Sequence, residues 1–224
     1  MTSQLDPAVQ VPPAAGIQPK FPAVPYGSGA SYFEAYMDEM AQAWKTTDLA
    51  AFDRAAAILT EGYLRGARVF SCGNGGSASI ANHLVCDHTK GIRTKTDLLP
   101  RVESLSNNVE LLTAIANDVA YEDVFAFQLE SRASAGDVLV VISSSGRSAN
   151  IVRALTWARD NGLHTIAITG FEGGAAKILA DVAIHFECTN YGVVEDLHQA
   201  VMHALAQYIR QSRMTAETIS ATVF

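Results

Sequence analysis

Apolar residues recur at three- and four-residue spacing through SYFEAYMDEMAQAW (residues 31–44) and again through DLAAFDRAAAILTEGYL (residues 48–64). That spacing lays one apolar stripe along a helix, so the two segments predict an N-terminal helical hairpin. Beyond it, short β-rich runs alternate with polar, glycine-rich turns and renewed helical spacing. ARVFSC leads into GNGGS and a helix from about Ala78, and RVESLS leads into a helix over 109–116. DVLVVIS leads into SSGRS and the helix IVRALTWARDNG. HTIAITG leads into EGGAAKILA, and VAIHFEC precedes a last helix over 193–213.

A run such as DVLVVIS is apolar throughout, as expected of a strand covered on both faces. Strand–helix alternation with short links predicts a parallel, doubly wound sheet. The expected fold is therefore a three-layer α/β domain with the helical hairpin at its start, spanning residues 30–224. Residues 1–29 differ in kind, holding six of the seven prolines and few charges. They read as a flexible arm, too proline-broken for a helix and too short for a core of its own. No repeat of solenoid length and no second domain are visible.

Composition narrows the classes. The chain has 224 residues, 49% hydrophobic and 17% charged, an ordinary globular balance with length enough for one buried core. Its formal charge of −7 gives no general attraction to nucleic acid or to an anionic membrane, while leaving room for a local anion site. Cys72, Cys86 and Cys188 form no C-x-x-C pair, and an odd count suits reduced thiols in a cytoplasm. No apolar run approaches the roughly 20 residues that span a bilayer. The first residues, MTSQLDPAVQVPPAAG, do not read as a secretory signal.

In a doubly wound sheet, ligands bind beyond the carboxyl ends of the strands. Two loops expected there carry unusual chemistry: Gly73-Asn74-Gly75-Gly76-Ser77 and Ser143-Ser144-Ser145-Gly146-Arg147-Ser148. Glycines let backbone amides approach a ligand, and hydroxyls beside a helix N-terminus form an anion cradle without a lysine. Alone, either loop is an ordinary turn or helix cap. Together, with no GxGxxG and no Walker lysine, they point to a phosphorylated small molecule and to no nucleotide cofactor.

Titratable groups add a second feature. His83 and Asp87 stand four apart on a predicted helix and share a face. Glu195, His198 and His203 lie on the last helix, where Glu195 and His203 are about 12 Å apart along an ideal axis. For these two to meet at one point, both must reach toward it, or Glu195 must precede regular helix. His88 and His198 read as packed or surface histidines.

The segments SCGNGGSASIANH, AIANDVAYEDVF, GDVLVVISSSGRSANIVRAL, AITGFEGG and LHQAVMHALAQYI together resemble the phosphoheptose isomerase family, from roughly Tyr32 to Gln211. The SxSGxSxN loop is general to sugar-isomerase (SIS) domains; GNGGSA, AND and the terminal HxxxxH point to this branch. The resemblance implies that Asn74, Gly75, Gly76, Ser77, Asn117, Asp118, Ser143, Ser144, Ser145 and Ser148 contact a sugar phosphate. It also implies histidine and glutamate at the positions of His83 and Asp87, and glutamine and histidine at those of Glu195 and His203. Some members hold zinc with these four groups. The chain departs twice, with aspartate for glutamate and glutamate for glutamine, but each change keeps an oxygen donor. His83, Asp87, Glu195 and His203 thus remain a competent metal set, with Asp87 and Glu195 also facing substrate. Where the family carries Thr-Gly-Arg, this chain reads Thr89-Lys90-Gly91-Ile92-Arg93. Lys90 or Arg93 either replaces that basic contact or belongs to a solvated loop.

The activity implied is aldose–ketose isomerisation of sedoheptulose 7-phosphate to D-glycero-D-manno-heptose 7-phosphate through an enediol. Asp87 would be the base, His203 the proton shuttle and Glu195 a reserve base. The family's assembly implies a homotetramer with active sites at subunit junctions. The rival is a non-catalytic sugar-phosphate-binding protein, or one that binds the replication initiator DnaA, as a relative of this fold does. A scaffold has no use for His83, Asp87 and His203, which favours the enzyme. A sugar-sensing regulator would bring a helix-turn-helix domain, for which the arm is too short.

Overall fold

Local capping sets the start of the chain's order. The computed structural model describes residues 21–224. Helix α1 (Gly29–Ala43) begins at Ser28, whose hydroxyl accepts from the Ser31 N–H while Ser31 reciprocates. Helix α2 (Leu49–Arg65) begins where the Asp48 carboxylate accepts from the Ala50 N–H, and it ends at Gly66 in the left-handed region, φ 72°. Both expected N-terminal helices form.

The chain then alternates as the hydrophobic pattern requires: β1 (Arg68–Gly73), α3 (Gly76–Cys86), β2 (Arg101–Ser104), α4 (Val109–Asp118), α5 (Ala126–Arg132), β3 (Val138–Ser143), α6 (Ala149–Asp160), β4 (His164–Thr169), α7 (Gly174–Leu179), β5 (Val182–His185), α8 (Tyr191–Ser212) and α9 (Ala216–Ser220). The five strands lie in the order β2-β1-β3-β4-β5, and every neighbouring pair is parallel. Alternate residues of β3 face opposite layers. Val138, Val140 and Ile142 join the core under α1, α2, α3 and α8, and Leu139 and Val141 join the one under α4, α5, α6 and α7. Burying one such side chain contributes about 1.5–3 kcal/mol, so both layers anchor the sheet. This is the three-layer α/β fold that the strand pattern predicts.

Several elements were not predicted. Helices α5 and α9, of seven and five residues, are too short to display a helical period. The chain leaves α3 through one π-helical turn, Asp87–Ile92, which re-aims the residues that follow Asp87. Helix α8 starts two residues earlier than expected, because the Asn190 side chain caps it by accepting from the Val193 N–H. Residues 1–20 of the expected arm lie outside the described residues. At its end, Phe21 is buried among the rings of Tyr26, Tyr32 and Tyr36, with centroids 5.1–6.0 Å away. Among the described residues no helix is long and apolar enough to cross a membrane.

The topology reverses between β1 and β3. From β1 the chain steps outward to β2 and then returns to β3 on the other side, so the loops after β1 and β3 diverge and leave a crevice. Gly146 holds the second loop against the first turn of α7. Its φ is +63°, and a Cβ there would stand 1.9 Å from the Gly173 carbonyl oxygen. Gly146→Ala is therefore expected to lower stability by at least about 2 kcal/mol, from the left-handed backbone and the collision with fixed backbone. Urea unfolding measures it, and an unchanged midpoint would show that the loop relaxes freely.

Candidate active site

Two loops close on the crevice and are bolted together by an amide pair. Asn74 Nδ2 donates to Asn150 Oδ1 at 2.9 Å, and Asn150 Nδ2 donates back to Asn74 Oδ1 at 2.9 Å. The Tyr121 hydroxyl donates to the same Asn74 oxygen at 3.0 Å. Asn74, Tyr121, Ser148 and Asn150 line a cavity of about 490 Å³.

The serines of the second loop divide into two kinds. Ser143 Oγ accepts from the Gly146 N–H at 3.1 Å and Ser145 Oγ accepts from the Arg147 N–H at 3.3 Å, so both shape the loop itself. The hydroxyls of Ser77, Ser144 and Ser148 have no hydrogen-bond partner among the described residues. Ser148 stands at the N-cap of α6 without making a cap bond. Open hydroxyls beside the N–H groups of a twelve-residue helix form an anion site that needs no lysine.

The titratable groups gather where α3 and α8 lie side by side in the same direction. Glu195 stands beside Gly76, where an added Cβ would be 2.3 Å from Glu195 Oε2 and would push the carboxylate aside. One turn on, the Gln199 side-chain amide lies 3.2 Å from His83 Nδ1 and 2.9 Å from His203 Nε2. One turn further, His203 Nδ1 is 2.6 Å from Asp87 Oδ2, and His83 Nε2 is 3.4 Å from Asp87 Oδ1. The two imidazole rings are 5.0 Å apart and nearly perpendicular.

Ligand atoms of His83, Asp87 and His203 all lie within 4.8 Å of one another. Two imidazoles and a carboxylate, partly open to solvent, are a donor set that fits a divalent metal. Three of the four expected ligands thus meet. The fourth, Glu195, lies outside that group at the glycine loop, where burial and then the neighbouring Asp196 raise its pKa. In its place stands Gln199, which sequence reasoning missed. The available signal was spacing, for Gln199 is four residues from both Glu195 and His203 and shares their face.

The other expected residues make no hydrogen bond to these groups. Asn117 and Asp118 end α4, exposed and bonded to each other at 2.7 Å. Lys90 and Arg93 are exposed on the turn after Asp87, with no ion pair among the described residues. His88 and His198 are wholly buried. His88 bonds the Tyr63 hydroxyl through Nδ1, while neither nitrogen of His198 has a hydrogen-bond partner. Burial pushes the pKa of each down to about 4.

A parallel sheet with a hydroxyl-rich anion loop at its switch point defines the sugar-isomerase class, and residues 31–170 match the family described as SIS domain. Within that class, the chain belongs to the phosphoheptose isomerase family. It is 35% identical over 177 residues to the phosphoheptose isomerase of Aliarcobacter butzleri, covering 79% of this chain and 93% of that one. Identity to the phosphoheptose isomerase of Mycobacterium tuberculosis is 39% over 154 residues, covering 69% and 78%. The solved structure of the Neisseria gonorrhoeae phosphoheptose isomerase aligns with a TM-score of 0.74 at 29% identity, covering 81% of this chain and 96% of that one.

Two outcomes follow from this geometry. Asn150→Ala removes one donor and one acceptor from Asn74, so affinity for a sugar phosphate should fall about three- to tenfold. The same change made in an Asn74→Ala background should cost little; equal losses in both backgrounds would detach Asn150 from Asn74. The second outcome concerns acid. A histidine whose folded pKa is depressed contributes stability that is fully present above the unfolded value near 6.5 and is lost as pH falls toward 4. The unfolding free energy of His198→Leu should fall about 2–3 kcal/mol less than that of wild type between about pH 7.5 and about pH 4.5. Parallel urea titrations at the two pH values check this, and identical acid losses would exclude His198 as their source.

Proposed function

We propose that this chain is a cytoplasmic aldose–ketose isomerase that converts sedoheptulose 7-phosphate to D-glycero-D-manno-heptose 7-phosphate, and that it works as a homotetramer. The observation that carries the reading is the 2.6 Å bond between His203 and Asp87, an acid–base pair joining two helices that border a phosphate cradle. The named activity of its relatives supports the same chemistry. Phe33 and Met37, exposed along α1, and Trp44, exposed just past its end, supply apolar surface for assembly.

The division of labour follows from the residues. The open hydroxyls of Ser77, Ser144 and Ser148, with the N-terminus of α6, hold the phosphate. The glycine loop brings backbone amides to the sugar, and Glu195 above Gly76 accepts from sugar hydroxyls. Isomerisation moves a proton between adjacent carbons, so it requires a base at carbon and a proton carrier at the oxygens. Asp87 abstracts the carbon-bound proton. His203, hydrogen-bonded to Asp87, passes protons between the two oxygens as the enediol forms and collapses. Glu195, its basicity raised by burial, is the reserve base. Zinc, which His83, Asp87 and His203 would hold, would supply Lewis-acid polarisation of the carbonyl.

Incubation with a panel of ketose phosphates, with aldose formation read by NMR, tests the reading. Asp87→Asn and His203→Ala should each lower turnover about 10²–10⁴-fold while phosphate affinity persists. Wild-type turnover in both variants would sink the assignment, and a native protein inert toward every ketose phosphate would make it a binding module.

A further inference from the structure

The amide of Gln199 touches both histidines of the cluster, and with both rings neutral, counting donors and acceptors fixes where each proton sits. A carboxylate only accepts hydrogen bonds. His203 Nδ1, 2.6 Å from Asp87 Oδ2, must therefore carry the proton, which leaves Nε2 of the neutral ring with a lone pair. The side-chain group 2.9 Å from that lone pair must then be the NH₂ of Gln199 and not its oxygen. The same NH₂ has a second hydrogen for His83 Nδ1 at 3.2 Å, so the proton of neutral His83 belongs on Nε2, which faces Asp87 Oδ1 at 3.4 Å. Amide oxygen and nitrogen are interchangeable in shape, and here the count alone decides between them.

A metal held at the nitrogens that face Asp87 requires the opposite arrangement. Those nitrogens must offer lone pairs, so each ring's single proton moves to the nitrogen facing Gln199, and the rings remain neutral. Two N–H groups then converge on one side chain. The Gln199 oxygen, with two lone pairs, accepts both once the amide turns over.

We propose that Gln199 is the positioning residue that sets the tautomers of His83 and His203, and that reversal of its amide converts the cluster from a hydrogen-bonded set into a metal-holding one. Glutamine is suited to both states. Glutamate only accepts and serves the metal-holding state alone, as an outer partner that orients a ligating histidine. Leucine serves neither. The catalytic meaning of the switch rests on the isomerase reading, but the proton positions do not.

The test uses the full chain, stripped of metal and then titrated with zinc. Ring tautomers are read by ¹⁵N NMR, with His83→Gln and His203→Gln used for assignment. Zinc affinity is read by chelator competition. In metal-free wild type, His203 should carry its proton on Nδ1 and His83 on Nε2, and zinc should move both protons to the opposite nitrogens. Gln199→Glu should bind zinc about 10–100-fold more tightly than wild type, and Gln199→Leu about tenfold more weakly with mixed tautomers. A proton on Nε2 of His203 in metal-free wild type overturns the proposal without recourse to any variant. So does a zinc affinity of Gln199→Glu within about threefold of wild type, or no zinc binding by either protein. Wild-type turnover of sedoheptulose 7-phosphate, measured in parallel, separates failure of this proposal from failure of the isomerase reading.

Discussion

The alignment of α8 along α3 is the constraint on which the cluster of His83, Asp87, Gln199 and His203 depends. His203 meets Asp87, and Gln199 meets His83, across 116 residues of chain in each case. Both helices pack on the same face of the sheet, and their buried sides (Ile80, Ala81 and Leu84 on α3; Val194, Leu197, Val201 and Leu205 on α8) belong to one core. That packing brings the more exposed sides of both helices together. A shift of one turn between them would separate every pair at once. At the upper end, Gly76 leaves the space in which the Glu195 carboxylate lies.

The loops at the crevice obey a different logic. Their rigidity comes from polar groups that are already satisfied, and the groups left open are those a ligand can use. Ser143, Ser145, Asn74 and Asn150 spend their hydrogen bonds on the loops themselves, whereas Ser77, Ser144 and Ser148 keep theirs open. A loop of serines is thus part scaffold and part site, and composition alone does not separate the two. Tyr121 extends the scaffold to a third segment by sharing the Asn74 oxygen, so the three loops around the cavity form one network.

Buried histidines show how much the layered core sets protonation. His88 and His198 lie within three residues of Asp87, Glu195 or Gln199 in sequence, yet both face inward and are held neutral by burial. Residues one helical position apart therefore have opposite fates, solvated acid–base group or packed ring, according to which side of the helix meets the sheet.

Periodicity made the architecture legible from sequence. The apolar runs of β1 and β3, the helical spacing of α1, α2, α6 and α8, and the glycine and serine loops at strand ends are all local patterns, and each formed within about two residues of where it was read. The short helices α5 and α9 and the π turn after Asp87 escaped because one or two turns carry no measurable period. The site was legible as residue types and not as contacts. His83, Asp87 and His203 were named from motif spacing and do converge, while Glu195 was grouped with them and stands instead over Gly76. Gln199, Asn150 and Tyr121 were passed over, because a neutral amide or a tyrosine gives no chemical signal until a partner is fixed opposite it. Hydrophobic order along the chain decides which face of each element is buried. Which polar group then meets which depends on the rotation and register of helices far apart in sequence, and only tertiary packing sets that.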